Sequence, residues 1–352
     1  MKIQKKKINL KNKPFVIAEL SANHNGSLKN ALKLVDHAAW CGVSAIKIQT
    51  INPDEITLDS TNKDFIIKNK KSIWHKKSYY NLYKKSFMPL IWQEKIFQRA
   101  KKKGLICFSS PFDEKSVDFL EKINTPCYKI ASFENQHFPL LKKIASTNKP
   151  VIMSLGMLSL EEIYESYWYL KKYGAKDIAL LKCTSVYPAN EIELNLKTIQ
   201  DLRNKFNCEV GFSDHTDHIF SSITAVSLGA TIIEKHFKLE DNNKTLDSKF
   251  SIGRSHMKEL VFGCNKAQAS RGEINYNLSK NEKIAKKSKR SIYISNDIKK
   301  NEVFTNNNIK IVRPGYGMSP KFYHKVIGKK ALKNLNYGDR LLKENIKNFK
   351  IN

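Results

Sequence analysis

Short runs of apolar and β-branched residues alternate along this chain with stretches whose apolar positions recur at helical spacing. The runs are PFVIAEL from Pro14, SAIKIQT from Ser44, LICFSSPF from Leu105, CYKIAS from Cys127, PVIMSLG from Pro150, IALLKCT from Ile178, CEVGFSD from Cys208 and TIIEKHF from Thr231. Amphipathic segments such as Leu28 to Trp40 and Leu160 to Lys172 lie between them. Repeated strand–helix units predict a parallel sheet, and eight of them within residues 1–274 predict a TIM (β/α)8 barrel. The stretch Asn52 to Pro89 reads as a βα loop with a helical insert, on the rim where barrel insertions cover substrate. Lys- and Asn-rich sequence at 275–289 reads as a linker. Residues 290–352, with SIYIS, NIKIVRP and the turns GYG, IGKK and NYGDRL, read as a small, mostly β domain.

Composition narrows the class. The 352 residues are 41% hydrophobic and 27% charged, as in globular proteins, and no apolar run approaches the ~20 residues of a membrane helix. The opening MKIQKKKINLKNK is basic without the apolar stretch of a secretory signal, so the expected compartment is the cytoplasm. Six scattered cysteines form no CxxC, which argues against zinc clusters and disulfides; most sit in apolar runs as small hydrophobes. The net charge of +29 raises a nucleic-acid reading, but the lysines are spread throughout. Their densest cluster, Lys280 to Arg290, has no interleaved aromatics to stack on bases. A specific nucleic-acid partner is not expected, and an anionic small molecule suits the charge better.

Candidate chemistry gathers where the strands end. In GFSDHTDH (Gly211 to His218) and IIEKHF (Ile232 to Phe237), alternation puts Ser213 with His215 on one face and Glu234 with His236 on one face. On adjacent parallel strands the two imidazoles and two oxygen groups would converge as an open divalent-metal site; singly, each histidine reads as an ordinary polar strand end. Lys47 between Ile46 and Ile48, and Lys129 between Tyr128 and Ile130, require partner anions if buried. Two such lysines among Ser109, Ser110, Ser132 and Ser154 describe a pocket for a phosphate and a carboxylate.

The stretches IAELSANHNGSL, IKIQT, FSSPFD, YKIASFE, MSLGM, LKCTSVYPA, GFSDHT, EKHF and RPGYG carry a resemblance across almost the whole chain. In this order they are similar to the sialic acid (nonulosonate) synthase family, whose members condense phosphoenolpyruvate with an amino-sugar aldehyde. The C-terminal part resembles the antifreeze-like (SAF) domain of those enzymes. The resemblance implies that Lys47, Ser110, Lys129, Ser132, Ser154, Ser185 and Ser213 bind phosphoenolpyruvate. It implies Gln49, Tyr187, Asp247 and Arg313 as sugar contacts, and His215 and His236 as catalytic ligands of Mn²⁺ or Mg²⁺. Glu134 matches a family acid/base, and Glu19 is placed to hold sugar or metal-bound water. It further implies a domain-swapped homodimer in which Arg313 serves the partner's barrel; in isolation, Arg313 before Pro-Gly and Tyr187 before Pro188 are merely turn and loop residues.

Three local features resemble the branch that makes pseudaminic acid from 2,4-diacetamido-2,4,6-trideoxy-L-altrose. They are Ser185 where N-acetylneuraminate synthases carry Asn, LDSKFS (Leu246 to Ser251) in place of a GPD-type motif, and SANHNG in place of their pattern before NHNG. The alternatives left open are an N-acetylneuraminate or legionaminate synthase, a metal-dependent aldolase on the same barrel, and a non-enzymatic basic binding protein.

Overall fold

In the computed structural model, which describes residues 1–70, 72–241 and 244–350, every predicted apolar run becomes a barrel strand. The strands are β1 (Phe15–Glu19), β2 (Ala45–Thr50), β3 (Ile106–Pro111), β4 (Tyr128–Ile130), β5 (Val151–Ser154), β6 (Ile178–Cys183), β7 (Glu209–Asp214) and β8 (Ile232–His236). Each pairs in parallel with the next, and β8 closes on β1. The first long helix, Leu28–Cys41, starts at Ser27, whose side chain accepts from the Asn30 N–H, and ends at Gly42 in the left-handed region. Helix Leu160–Lys172 begins with the reciprocal Ser159–Glu162 capping box.

Side chains alternate inward and outward along each strand. Outward residues such as Val16, Ile46, Ile48, Met153 and Leu180 pack with the helices into the main core. Inward residues Phe15, Ile17, Ala45, Ile106, Phe108, Cys127, Ile152, Ala179, Leu181 and Ile232 fill the lower barrel. The same inward parity, carried upward, delivers Glu19, Lys47, Ser110, Lys129, Ser154, Cys183, Ser213 and Glu234 to the C-terminal mouth. The barrel is therefore apolar at its floor and polar at its top. Register completes the arrangement by setting Glu19 beside Lys47 and His236, and Ser213 beside Cys183 and Glu234. A Cβ at Gly211 would lie 2.3 Å from the Ile232 carbonyl oxygen, so a glycine is needed where β7 meets β8.

The basic opening of the chain does more than its composition indicated. Lys2–Ile3 and Lys6–Lys7 pair as a small antiparallel hairpin, turning through Gln4 at φ 49°. Ile3 and Ile8 are thereby buried against Phe15, Ile17, Phe108 and Ile232, closing the barrel floor. The long insertion after β2 contains helices Pro53–Ile56 and Tyr79–Ser86 and an antiparallel bridge between Ile66 and Ser78.

The chain divides into two units, Met1–Gly272 and Glu273–Asn352. In the second, β9 (Ser291–Ile294) pairs antiparallel with β10 (Ile309–Val312) over a core that includes Ile292, Phe304, Ile309, Val326 and Leu341. The stretch read as a linker holds a short exposed helix, Lys280–Ala285, set by the Ser279–Glu282 capping box. All six cysteines are free, and among the described residues no helix is long and apolar enough to cross a membrane.

If the hairpin is part of the barrel core, Ile3→Ala should lower unfolding free energy by ~2–5 kcal/mol in urea titrations, the range for emptying a buried aliphatic site. Lys2→Ala, on the exposed face of the same strand, should stay within about 0.5 kcal/mol of wild type.

Candidate active site

Four buried charged groups occupy the centre of the barrel mouth. Lys47 Nζ lies 2.7 Å from Glu19 Oε2 and 3.4 Å from Glu234 Oε1, and donates to Ser110 Oγ at 3.2 Å. Lys129 Nζ donates to Ser154 Oγ at 2.6 Å and to the Ile130 carbonyl at 2.9 Å, and sits 3.9 Å from Glu234 Oε1. Ser213 Oγ donates to the same Glu234 oxygen at 3.2 Å. Burial pushes Glu19 up to about 7 against the opposing pull of Lys47, with Glu234 adding to the rise. Glu234, also buried, is held below the usual carboxylate range because Lys129 and Lys47 outweigh desolvation. Desolvation brings Lys129 down to about 8, whereas Lys47, equally buried, is held above its ordinary value by Glu19 and Glu234.

Beside this cluster lies a ring of small polar groups. Gly156 N–H donates to Ser132 Oγ at 3.3 Å, and Ser132 Oγ donates to Cys183 Sγ at 3.4 Å. Ser185 Oγ lies 3.6 Å from the same sulfur, and His215 Nδ1 lies 3.8 Å from it. A Cβ at Gly156 would fall 2.0 Å from Ser185 Oγ and 2.7 Å from Ser132 Oγ, so glycine lets the loop after β5 close on both hydroxyls. Burial alone would raise the Cys183 thiol, but His215 and the two hydroxyls bring it down to about 6. Glu134, on the loop after β4, is raised by burial to about 7, and its Oε2 has no hydrogen-bond partner among the described residues.

His215 and His236 face each other with ring centroids 5.5 Å apart. His215 Nδ1 lies 3.0 Å from the Thr184 carbonyl, and His236 Nδ1 lies 3.2 Å from Ser21 Oγ. Engaging each Nδ1 leaves Nε2 of each ring as the nitrogen that could take a ligand. Burial and neighbouring positive charges hold His236 well below its ordinary value, in the neutral form a metal requires. His215, by contrast, is held above its ordinary value, despite its burial, by Cys183 and the Thr184 carbonyl. The two rings could therefore hold a divalent cation only with His215 deprotonated and with further ligands from small molecules. Among the described residues, no group of three or more His, Cys, Asp and Glu side chains forms a self-contained metal cage.

The insertion and the loops after β6 and β8 wrap this pair in aromatic rings. Tyr187 lies 4.2 Å from His215, Phe250 lies 4.8 Å from His236, and Tyr187 and Phe250 are 4.9 Å apart, centroid to centroid. Asp247 is buried nearby, its Oδ2 accepting from the Ala22 N–H, and burial raises its carboxyl. Asn23 ties the loop after β1 to the end of β8, donating to the Phe237 carbonyl at 3.0 Å and Ser251 Oγ at 2.9 Å while accepting from Thr245.

The candidates of the sequence thus fall into connected groups. Glu19, Lys47, Ser110, Lys129, Ser154 and Ser213 meet around Glu234; Ser132, Ser185 and His215 meet around Cys183; Tyr187 and His236 join through Phe250. Gln49 is in register with Ser110 on the inward face of β2. Glu19 is committed to Lys47 and the Ser21 N–H, which leaves it less free for substrate than its strand-end position implied. Arg313 belongs to the second unit, before the cis Arg313–Pro314 bond. Cys183 reads as core within LLKCT, and only its inward parity with Leu181 signals that it faces the site. Glu234, expected from alternation to join His236 at a metal site, instead faces Lys47, Lys129 and Ser213, because the buried ammonium groups need its charge. Gly156 was legible from its SLGM turn.

The NeuB family profile matches residues 34–276 and the SAF domain profile residues 289–347. The chain is 44% identical over 335 residues to a pseudaminic acid synthase of Campylobacter jejuni, covering 95% of this chain and 96% of that protein. It is 38% identical to an N,N'-diacetyllegionaminic acid synthase of the same species, covering 94% and 99% respectively. Among solved structures it resembles an N-acetylneuraminic acid synthetase from Leptospira borgpetersenii in complex with citrate. That likeness has a TM-score of 0.72 and 30% identity, and covers 81% of this chain and 94% of that one.

The raised Glu134 carboxyl has a stability consequence. A group that holds its proton more tightly when folded favours folding at low pH, and that contribution is lost as pH rises from 4.5 through about 7. Wild type should therefore lose on the order of 3 kcal/mol relative to Glu134→Gln across this window and run parallel to it above. Urea unfolding of both proteins against pH measures it; a constant difference would remove the perturbed carboxyl.

Proposed function

The chain belongs to the NeuB family, and on that premise we infer that it condenses phosphoenolpyruvate with 2,4-diacetamido-2,4,6-trideoxy-L-altrose and water, giving pseudaminic acid and inorganic phosphate. The observation that carries this reading is the pair of buried lysines ringed by hydroxyls at the barrel mouth. Lys47 and Lys129, with Ser110, Ser132, Ser154, Ser185 and Ser213, supply charge-assisted and neutral donors for a phosphate and a carboxylate on one small molecule. The choice of sugar is supported by the 44% identity to a pseudaminic acid synthase, together with Ser185 and the LDSKFS segment.

In this reaction C3 of phosphoenolpyruvate bonds to the aldehyde carbon of the open-chain sugar, and the aldehyde oxygen gains a proton. Water then adds at C2, and phosphate departs. Glu134, which keeps its proton up to about pH 7, is suited to deliver one at the sugar oxygen. The lysine–hydroxyl ring keeps the three-carbon reactant oriented while its charge is redistributed. His215 Nε2 and His236 Nε2 would hold a divalent cation, whose contribution when bound is polarisation of the sugar carbonyl. Tyr187, Gln49 and Asp247 are assigned to the sugar.

Phosphate release with a sugar panel tests the assignment. The diacetamido altrose should exceed N-acetylmannosamine roughly tenfold or more in kcat/KM; comparable values would move the protein to an N-acetylneuraminate synthase. Lys129→Met should lower kcat/KM for phosphoenolpyruvate by about 100-fold while changing the KM for sugar little. Unchanged use of phosphoenolpyruvate would refute the lysine pocket.

Chelation should stop phosphate release and Mn²⁺ should restore it, and His236→Ala should lose Mn²⁺ binding in calorimetric titrations. Full turnover in excess chelator would remove the metal from the scheme.

A further inference from the structure

The insertion after β2 brings one more side chain to this site. Ile66 and Ser78 pair across an antiparallel bridge, Ile67 N–H donates to the Lys77 carbonyl at 2.9 Å, and Lys76 N–H donates to the Ile67 carbonyl at 2.9 Å. The loop closed by these bonds carries Trp74, whose own N–H donates to Ser72 Oγ at 3.1 Å. Its ring is 6.0 Å from Tyr187 and 6.2 Å from Phe250, edge-on to the latter. Tyr187 and Phe250 are the rings that lie against His215 and His236. Trp74 is therefore one aromatic layer removed from the histidine pair.

The indole Nε1 is buried and donates to nothing among the described residues. An indole nitrogen can only donate, and a buried donor without an acceptor opposes folding. Its position in the site supplies a reason for its persistence. If the sugar carbonyl sits at the histidines, a sugar extending toward the insertion would bring the part remote from its aldehyde to Trp74. The acceptors it could offer there are hydroxyl and amide oxygens; the amide is the stronger acceptor, and its methyl group suits an aromatic wall.

We propose that Trp74 is a specificity-determining residue that reads the second acetamido group of the sugar, at C4, Nε1–H donating to its carbonyl oxygen while the ring packs on its methyl. The assignment rests on the diacetamido sugar inferred above. A sugar with a hydroxyl at C4 leaves the indole donor poorly matched, and discrimination against it follows from the unpaired donor.

The test compares 2,4-diacetamido-2,4,6-trideoxy-L-altrose with its counterpart carrying a C4 hydroxyl. Wild type should favour the first by roughly tenfold or more in kcat/KM. Trp74→Phe, which keeps a ring and deletes the donor, should lose roughly 10–100-fold on the diacetamido sugar, at most about threefold on its counterpart, and nothing in the KM for phosphoenolpyruvate. Equal losses on both sugars, or none, would overturn the assignment to Trp74 and leave the sugar assignment standing. Equal use of the two sugars by wild type would overturn it whether or not the variant folds. Failure of wild type to use the diacetamido sugar, with turnover of another amino sugar, would overturn both assignments together.

Discussion

Lys47 and Lys129 cannot stay charged inside a barrel unless carboxylates come within reach, and that requirement organises everything above the apolar floor. The carboxylates are supplied by Glu19 on the first strand and Glu234 on the last, so the cluster exists only once β8 has closed on β1. Barrel closure and charge neutralisation are thus one event. The four groups balance two by two, with Glu19 the member most readily neutralised by a proton. An anion brought to the lysines would add negative charge beside Glu19 and so favour that proton, which would offset one unit of the added charge.

The two histidines reach different electrostatic states in the same mouth. His236 is kept neutral by burial and neighbouring cations, while Cys183 and the Thr184 carbonyl hold His215 above its ordinary value. Behind them, on the outward faces of the same strands, Asp214 and Lys235 form a second buried ion pair at 3.2 Å. Asp214 also accepts from Thr216 and Ser222, and Lys235 donates to the Thr216 carbonyl. Alternation therefore gives β7 and β8 two functions at once, chemistry toward the lumen and an ionic lock toward the helix layer.

Much of this was legible because strand periodicity and the expense of burying charge are local properties of a sequence. Eight apolar runs fixed the barrel, and Lys47 between two isoleucines announced a buried ammonium that needed a partner. What stayed hidden depended on contacts between distant segments. Ile3 and Ile8 among lysines look like chance until a hairpin tucks them under Phe15 and Phe108. Cys183 reads as core because only a closed barrel decides that its face is the lumen. Trp74 lies in an insertion with no strand or long-helix pattern to place it, and its proximity to Tyr187 is set by tertiary packing alone.

The hairpin lies under the apolar floor, so the lysine cluster has buried apolar side chains on one side and the polar mouth of the barrel on the other. A small molecule bound at Lys47 and Lys129 would therefore have to come and go through the end of the barrel that carries Tyr187, Phe250 and the two histidines.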